Sequence, residues 1–118
     1  MRLSHAMDYW RSLDELVKTR EIVIDRPLGS NHPRFPRVTY PLDYGYLKGT
    51  RSGDGEGIDV WRGSLDSKTV DATIVAVDLI KSDVEVKLLV GCTETEIEIV
   101  LNFHNMFSQS GILVKRDG

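Results

Sequence analysis

Residues 54–59 read DGEGID, which puts three carboxylates, Asp54, Glu56 and Asp59, close together beside Gly53, Gly55 and Gly57. Like charges this close repel, so water or a cation must offset the repulsion. Glycine accepts tight positive-φ turns, and such turns could direct the three acids into one small space. Clustered carboxylates suit a hard divalent cation: Mg²⁺ takes oxygen ligands and keeps several of its waters. Gly and Asp are also common turn formers for local reasons, so a solvated turn explains the same residues. An EF-hand is excluded, because its D-x-[DN]-x-[DN]-G start and its Glu at loop position 12 are both missing.

A second group lies further along. Asp83, Glu85 and Lys87 alternate with Val84 and Val86, so on a strand they share one face. They are either part of a site or the charged blunting of an edge strand. Tyr40, Tyr44 and Tyr46 precede the acidic loop. Buried tyrosines usually pack their rings and satisfy their hydroxyls, but a phenol can also donate to a phosphate oxygen. Alternation points Tyr44 and Tyr46 the same way. Arg26, Arg34, Arg37 and Lys48 surround this stretch. An arginine fork matches phosphate bidentately, although each basic residue alone reads equally as a solvated surface charge. His104 falls on an apolar helix face and reads as a core histidine. His32, in a proline-rich loop, is the better functional candidate. Cys92 reads as a small buried hydrophobe.

The elements that must position these groups follow from periodicity. Trp10, Leu13, Leu16 and Val17 recur at helical spacing over 8–18, with Asp8 as a candidate cap. EIVID (21–25) reads as a strand that Pro27 ends. Residues 26–41 hold four prolines and form a loop long enough to carry function. A short extended piece at 44–47 and a strand from Ile58 follow. VDATIVAVDLI (70–80) and VEVKLLVGC (84–92) read as a hairpin joined by KSD. Thr93 and Glu96 match a capping box opening a helix over 93–107, with Ile97, Val100, Leu101, His104 and Phe107 on one face. GILVKR (111–116) is a last strand. This order suits a small twisted β-barrel with flanking helices, an α+β fold, better than a parallel βαβ sheet.

The bulk numbers set limits. The chain has 118 residues, the size of one domain, and 1–118 is read as a single domain with residues 1–6 as a disordered leader. Hydrophobic content of 41% and charged content of 28% are ordinary for a globular protein. A net charge of −3 argues against a nucleic-acid-binding surface, though a bound metal can still attract anions. One cysteine allows no intrachain disulfide and fits a reducing compartment. No apolar run reaches the ~20 residues of a membrane span. The expected location is the cytoplasm.

Taken in order, IVIDRP, YPLDYGY, SGDGEGIDV and VEVKLLVG resemble the soluble Mg²⁺-dependent inorganic pyrophosphatases. That family has an OB-like barrel, a D-x-D-P-x-D-V loop and a preceding Y-P-x-x-Y-G-[YF] segment. The resemblance covers roughly residues 21–91. It implies hydrolysis of pyrophosphate to phosphate by a metal-activated water, with Mg²⁺, or Mn²⁺ in its stead, as cofactor. It assigns metal binding to Asp54, Glu56, Asp59 and Glu85, with Asp83 near another ligand. Asp59 would bridge metals and help deprotonate the attacking water, making Asp59, Asp54, Tyr44 and Lys87 the catalytic set. Substrate would be held by Tyr44, Lys87, Arg34, Arg37 and Asp25. It also implies a small-molecule substrate, no nucleic-acid or membrane partner, and a homo-oligomer.

The chain departs from the family at several points. Glu56 stands for Asp and Gly57 for Pro. R-F-P replaces a Lys-x-Glu pair, and FHNMFSQ, with Phe107, replaces a Tyr-Lys pair on the last helix. These changes carry a second expectation, a metal- or phosphate-binding module of weak or no turnover. A third is an interaction protein whose Trp10, Trp61 and Phe107 form an oligomer patch, against which core packing of the same residues is the stronger reading.

Overall fold

The computed structural model describes residues 3–116. Helix α1 (Leu3–Lys18) is followed by β1 (Ile22–Arg26), β2 (Asp43–Leu47), β3 (Asp59–Arg62), β4 (Val70–Asp78), β5 (Asp83–Val90), α2 (Glu94–Phe103) and β6 (Gln109–Lys115). The strands form one sheet in the order β1-β2-β3-β5-β4-β6. Every pairing is antiparallel except β3 with β5.

Alternation along the strands gives the sheet two apolar faces. Val60 faces one side and its neighbour Trp61 the other, and Leu88, Leu89 and Val90 alternate likewise. Asp71 sits at a bulge between Val70 and Ala72. The extra residue turns those two side chains to opposite faces, while the Asp71 carboxylate accepts the Cys92 N–H at 2.8 Å. Trp10, Leu13, Leu16 and Val17 of α1 cover one face, packing with Leu47, Val60, Val70 and Leu88. Ile97 and Val100 of α2 cover the other, against Trp61, Ile74 and Leu89. Trp10 and Trp61 are thus core residues and form no oligomer patch.

One expectation is qualified here and two are corrected. First, the α+β fold holds, and the sheet is barrel-like only loosely because it does not close. Closure requires the first and last strands to pair, whereas among the described residues β1 bonds only β2 and β6 bonds only β4. A helix covers each face instead. Second, α1 begins at Leu3, upstream of Asp8. Asp8 lies inside the helix and forms an exposed pair with Arg11 at 3.7 Å, an arrangement that contributes little. Residues 3–6 of the segment read as a leader belong to α1; residues 1 and 2 lie outside the described residues. Third, α2 stops at Phe103. Its capping box is formed as expected, with the Glu96 N–H donating to Thr93 Oγ1 (3.2 Å) and the Thr93 N–H to Glu96 Oε1 (2.8 Å). At the other end the Asn105 amide donates to Leu101 O (2.9 Å) and Gly111 O (3.1 Å). A short amide side chain that competes for backbone groups favours helix ends. Phe107 therefore leaves the apolar face and is 73% exposed, at a φ of 56°. Among the described residues no helix is long and apolar enough to cross a membrane.

His104, just past α2, is a core histidine as expected. Its Nε2 accepts from Trp61 Nε1–H at 2.9 Å, and its Nδ1 faces Gln109 Oε1 at 2.8 Å, which puts the proton on Nδ1. Burial lowers its pKa from 6.5 to about 4. The unfolded chain takes up this proton first as pH falls, so acid favours unfolding. Stability should fall by about 3 kcal/mol between pH 6.5 and pH 4 from this group alone. Urea midpoints measured across that range check the slope. His104→Gln, whose amide can serve both partners, should flatten it.

Candidate active site

The parallel β3–β5 pairing sets Asp59 beside Lys87, and the β2–β3 ladder brings Tyr44 next to Trp61. Three strands thereby deliver their side chains to one point. Lys87 Nζ donates to Asp59 Oδ2 at 2.7 Å, Tyr44 OH at 3.0 Å and Glu85 Oε1 at 3.3 Å. An ammonium has three N–H donors, and all three are used. Lys87 is only 7% exposed. Burial disfavours its charge, but Tyr44 and Asp59 outweigh that and raise its pKa, so it is charged at neutral pH. Burial also pushes the Tyr44 phenol up against the pull of Lys87, so the phenol stays neutral. The Glu85 carboxyl is raised first by burial, then by the Asp59 charge and a hydrogen bond with Asp54, with Lys87 and Lys81 opposing.

Asp83, Glu85 and Lys87 do share one face of β5. They line a cavity of about 470 Å³ together with Tyr44, Arg34 and Arg37. The two arginines belong to the proline-rich loop, which folds on itself through Gly29 N–H to Tyr40 O (2.8 Å), Tyr40 N–H to Ser30 O (2.9 Å) and His32 N–H to Val38 O (2.9 Å). Neither arginine forms a salt bridge among the described residues. His32 lines the same cavity. Its Nδ1 accepts the Arg34 and Phe35 N–H groups at 3.0 and 3.3 Å, which leaves its proton on Nε2. Lys81 is a cavity residue that the sequence reading passed over as part of a turn. It pairs with Glu85 at 3.5 Å and Asp83 at 3.6 Å. Its position two residues before the alternating acids was the available signal.

Other site candidates lie apart. Asp25 is exposed at the β1 bulge between Ile24 and Arg26 and does not line the cavity. The acidic loop behaves largely as a turn. Asp54 Oδ1 accepts from Ser52 Oγ (2.5 Å) and from the Glu56 N–H (2.9 Å). The Ser52 bond first, then that N–H, holds the Asp54 carboxyl below its ordinary range. Glu56 is exposed. Among the described residues no three His, Cys, Asp or Glu side chains are arranged to hold one ion. Asp54, Glu56, Asp59, Glu85 and Asp83 therefore do not converge as a single cage, because Lys87 takes Asp59 and Glu85 while the turn takes Asp54.

The glycines of that loop differ in what they do. Gly55 has a φ of 86°, whereas Gly53 and Gly57 do not need a positive φ. Gly57 is required for packing, since a Cβ there would lie 2.8 Å from the Tyr46 ring. Gly57→Ala should therefore destabilise by about 1–3 kcal/mol through overpacking. Gly53→Ala, with nothing within 4 Å of the new methyl, should be near neutral. Thermal melts of the two variants decide.

The fold is that of a mixed-sheet α+β domain in which a buried lysine joins two acids at a parallel strand junction. A solved structure that it is similar to is an inorganic pyrophosphatase from Neisseria gonorrhoeae, at 16% identity and a TM-score of 0.62, with 80% of each chain covered. At that identity the likeness carries the fold. No family model and no curated protein sequence matches the chain.

Proposed function

We propose that this chain hydrolyses a phosphoanhydride, with inorganic pyrophosphate as substrate and Mg²⁺, or Mn²⁺ in its place, as cofactor. The carrying observation is the buried Asp59–Lys87–Tyr44–Glu85 cluster beside a cavity whose wall offers Arg34 and Arg37. Guanidinium forks suit phosphate oxygens, and neither is neutralised by a salt bridge among the described residues. Lys87 holds Asp59 by Oδ2 and leaves Oδ1 to accept the proton of a water. Water oxygen bonds to one phosphorus, the bridging P–O bond breaks, and the second phosphate leaves. Positioned general bases contribute typically 10²–10⁴-fold.

The donor set fits Mg²⁺ in its usual mode, in which one or two carboxylates act together with substrate phosphates. Glu85, on the cavity wall, and the carboxylate of Asp54 would hold it. When bound, such an ion neutralises phosphoryl charge and favours attack by water. The test is phosphate release from pyrophosphate with and without Mg²⁺, on protein shown to be folded by circular dichroism. Metal-dependent release supports the reading, and its absence ends it.

One observation favours a second reading, binding without turnover. All three Lys87 donors are spent on protein groups, so Lys87 has none left for phosphate unless the cluster rearranges. Calorimetry with methylenediphosphonate separates the two, since heat of binding without any phosphate release supports the second.

A further inference from the structure

The cavity is larger and more aromatic than a bare diphosphate requires. Its 470 Å³ falls in the range of pockets that enclose drug-sized organic ligands, about 300–1,000 Å³. Its charged lining comprises Lys87, Lys81, Arg34 and Arg37 together with Asp78, Asp83 and Glu85, and Lys81 and Lys87 pair with the last two. Much of the remaining wall is aromatic, with Val38, Ala76, Ile80 and Met106 between the rings. His32 and Tyr40 stack at 6.3 Å with only 10° between planes, and Phe35 lies 5.1 Å from His32. Phe35 and Phe107 both line the cavity, yet they are 49% and 73% exposed. They come from different segments, the proline-rich loop and the turn after α2. Phe107 is held at a φ of 56°, a conformation that non-glycine residues adopt infrequently. Exposed rings on a concave wall beside guanidiniums that form no salt bridge among the described residues match a ligand with a planar aromatic part and an anionic part.

We propose that the ligand is a nucleoside diphosphate, or a diphosphate ester of like build, with its diphosphate toward Arg34, Arg37 and Lys81 and its base against the Phe35 and Phe107 rings. This rests on the phosphoanhydride reading of the same cavity and extends its ligands from bare pyrophosphate to diphosphates that carry a base. Ring–base stacking is worth about tenfold or more in affinity. A nucleoside diphosphate should therefore bind at least about tenfold tighter than a diphosphate without a base.

Calorimetry with α,β-methylene-ADP, methylenediphosphonate and adenosine tests this, each run with Mg²⁺ on the full chain. The expected order is α,β-methylene-ADP tightest, then methylenediphosphonate, then adenosine. Phe107→Ala and Phe35→Ala should each weaken α,β-methylene-ADP about tenfold and methylenediphosphonate far less. Both residues are exposed, so the variants should fold, and circular dichroism checks it. Equal affinities for the two diphosphates, or alanine variants with no selective loss, would overturn the proposal while leaving pyrophosphate hydrolysis standing. Tight α,β-methylene-ADP binding without phosphate release from pyrophosphate would uphold the base-binding wall and remove the hydrolytic reading. No binding of any probe removes both. If Phe107→Ala instead dissociates a dimer in sedimentation and leaves probe affinities unchanged, the rings serve a second copy of the chain and the proposal fails.

Discussion

Lys87→Met should destabilise the protein by about 3–5 kcal/mol and abolish phosphate release. The lysine lies between Asp59 and Glu85, whose side chains are only 21% and 14% exposed. Methionine fills similar space but leaves two half-buried carboxylates facing each other without a counter-charge. Removing one partner of a buried ion pair typically has this effect, because the remaining charge is uncompensated. The Tyr44 hydroxyl loses its partner as well. The control is the triple variant Lys87→Met, Asp59→Asn, Glu85→Gln. It should recover most of the stability, since neutral amides need no counter-ion, and should stay inactive. Chemical denaturation and a phosphate assay on both proteins read the two effects separately. A single variant as stable as the parent would show that Lys87 does not neutralise the acid pair.

The second large effect is on chemistry. Asp59→Asn should lower kcat for pyrophosphate by about 10²–10⁴-fold while KM moves little. The amide keeps the shape of the carboxylate and can still accept from Lys87, so the fold should persist with a loss near that of one charge-assisted hydrogen bond, about 1.5–3 kcal/mol. An unchanged kcat would remove Asp59 from the role of base. A large rise in KM with unchanged kcat would reassign it to binding.

Much of this arrangement was legible from residue types and spacing. Period-two alternation put Asp83, Glu85 and Lys87 on one face, and the structure keeps them there, because the pleat dictates it. Thr93 and Glu96 announced their capping box for the same local reason. What could not be read was nonlocal. Nothing near Lys87 in sequence says that Asp59 will lie beside it, since that depends on β3 pairing with β5 in parallel across the intervening β4. The acidic loop left two readings open, and the turn forms for a physical reason: Asp54 finds its partners two residues away in Ser52 and Glu56, and local hydrogen bonds compete with any distant ion. Whether the barrel closes was beyond periodicity too. Alternation fixes which face a side chain takes and says nothing of whether two edge strands meet. Phe107 fell outside its expected helix because Asn105, whose amide bonds both Leu101 and Gly111, ended the helix first.

The parallel junction of β3 and β5 bears on how the molecule acquires its site. Lys87 meets Asp59 across 28 positions and Tyr44 across 43, so no fragment holding one hairpin contains the cluster. Contacts between distant parts of a chain slow folding, because the intervening segment must be ordered first. Recovery of the site after dilution from denaturant should thus track formation of the whole sheet, with no early phase in which α1 or the β4–β5 hairpin alone restores it.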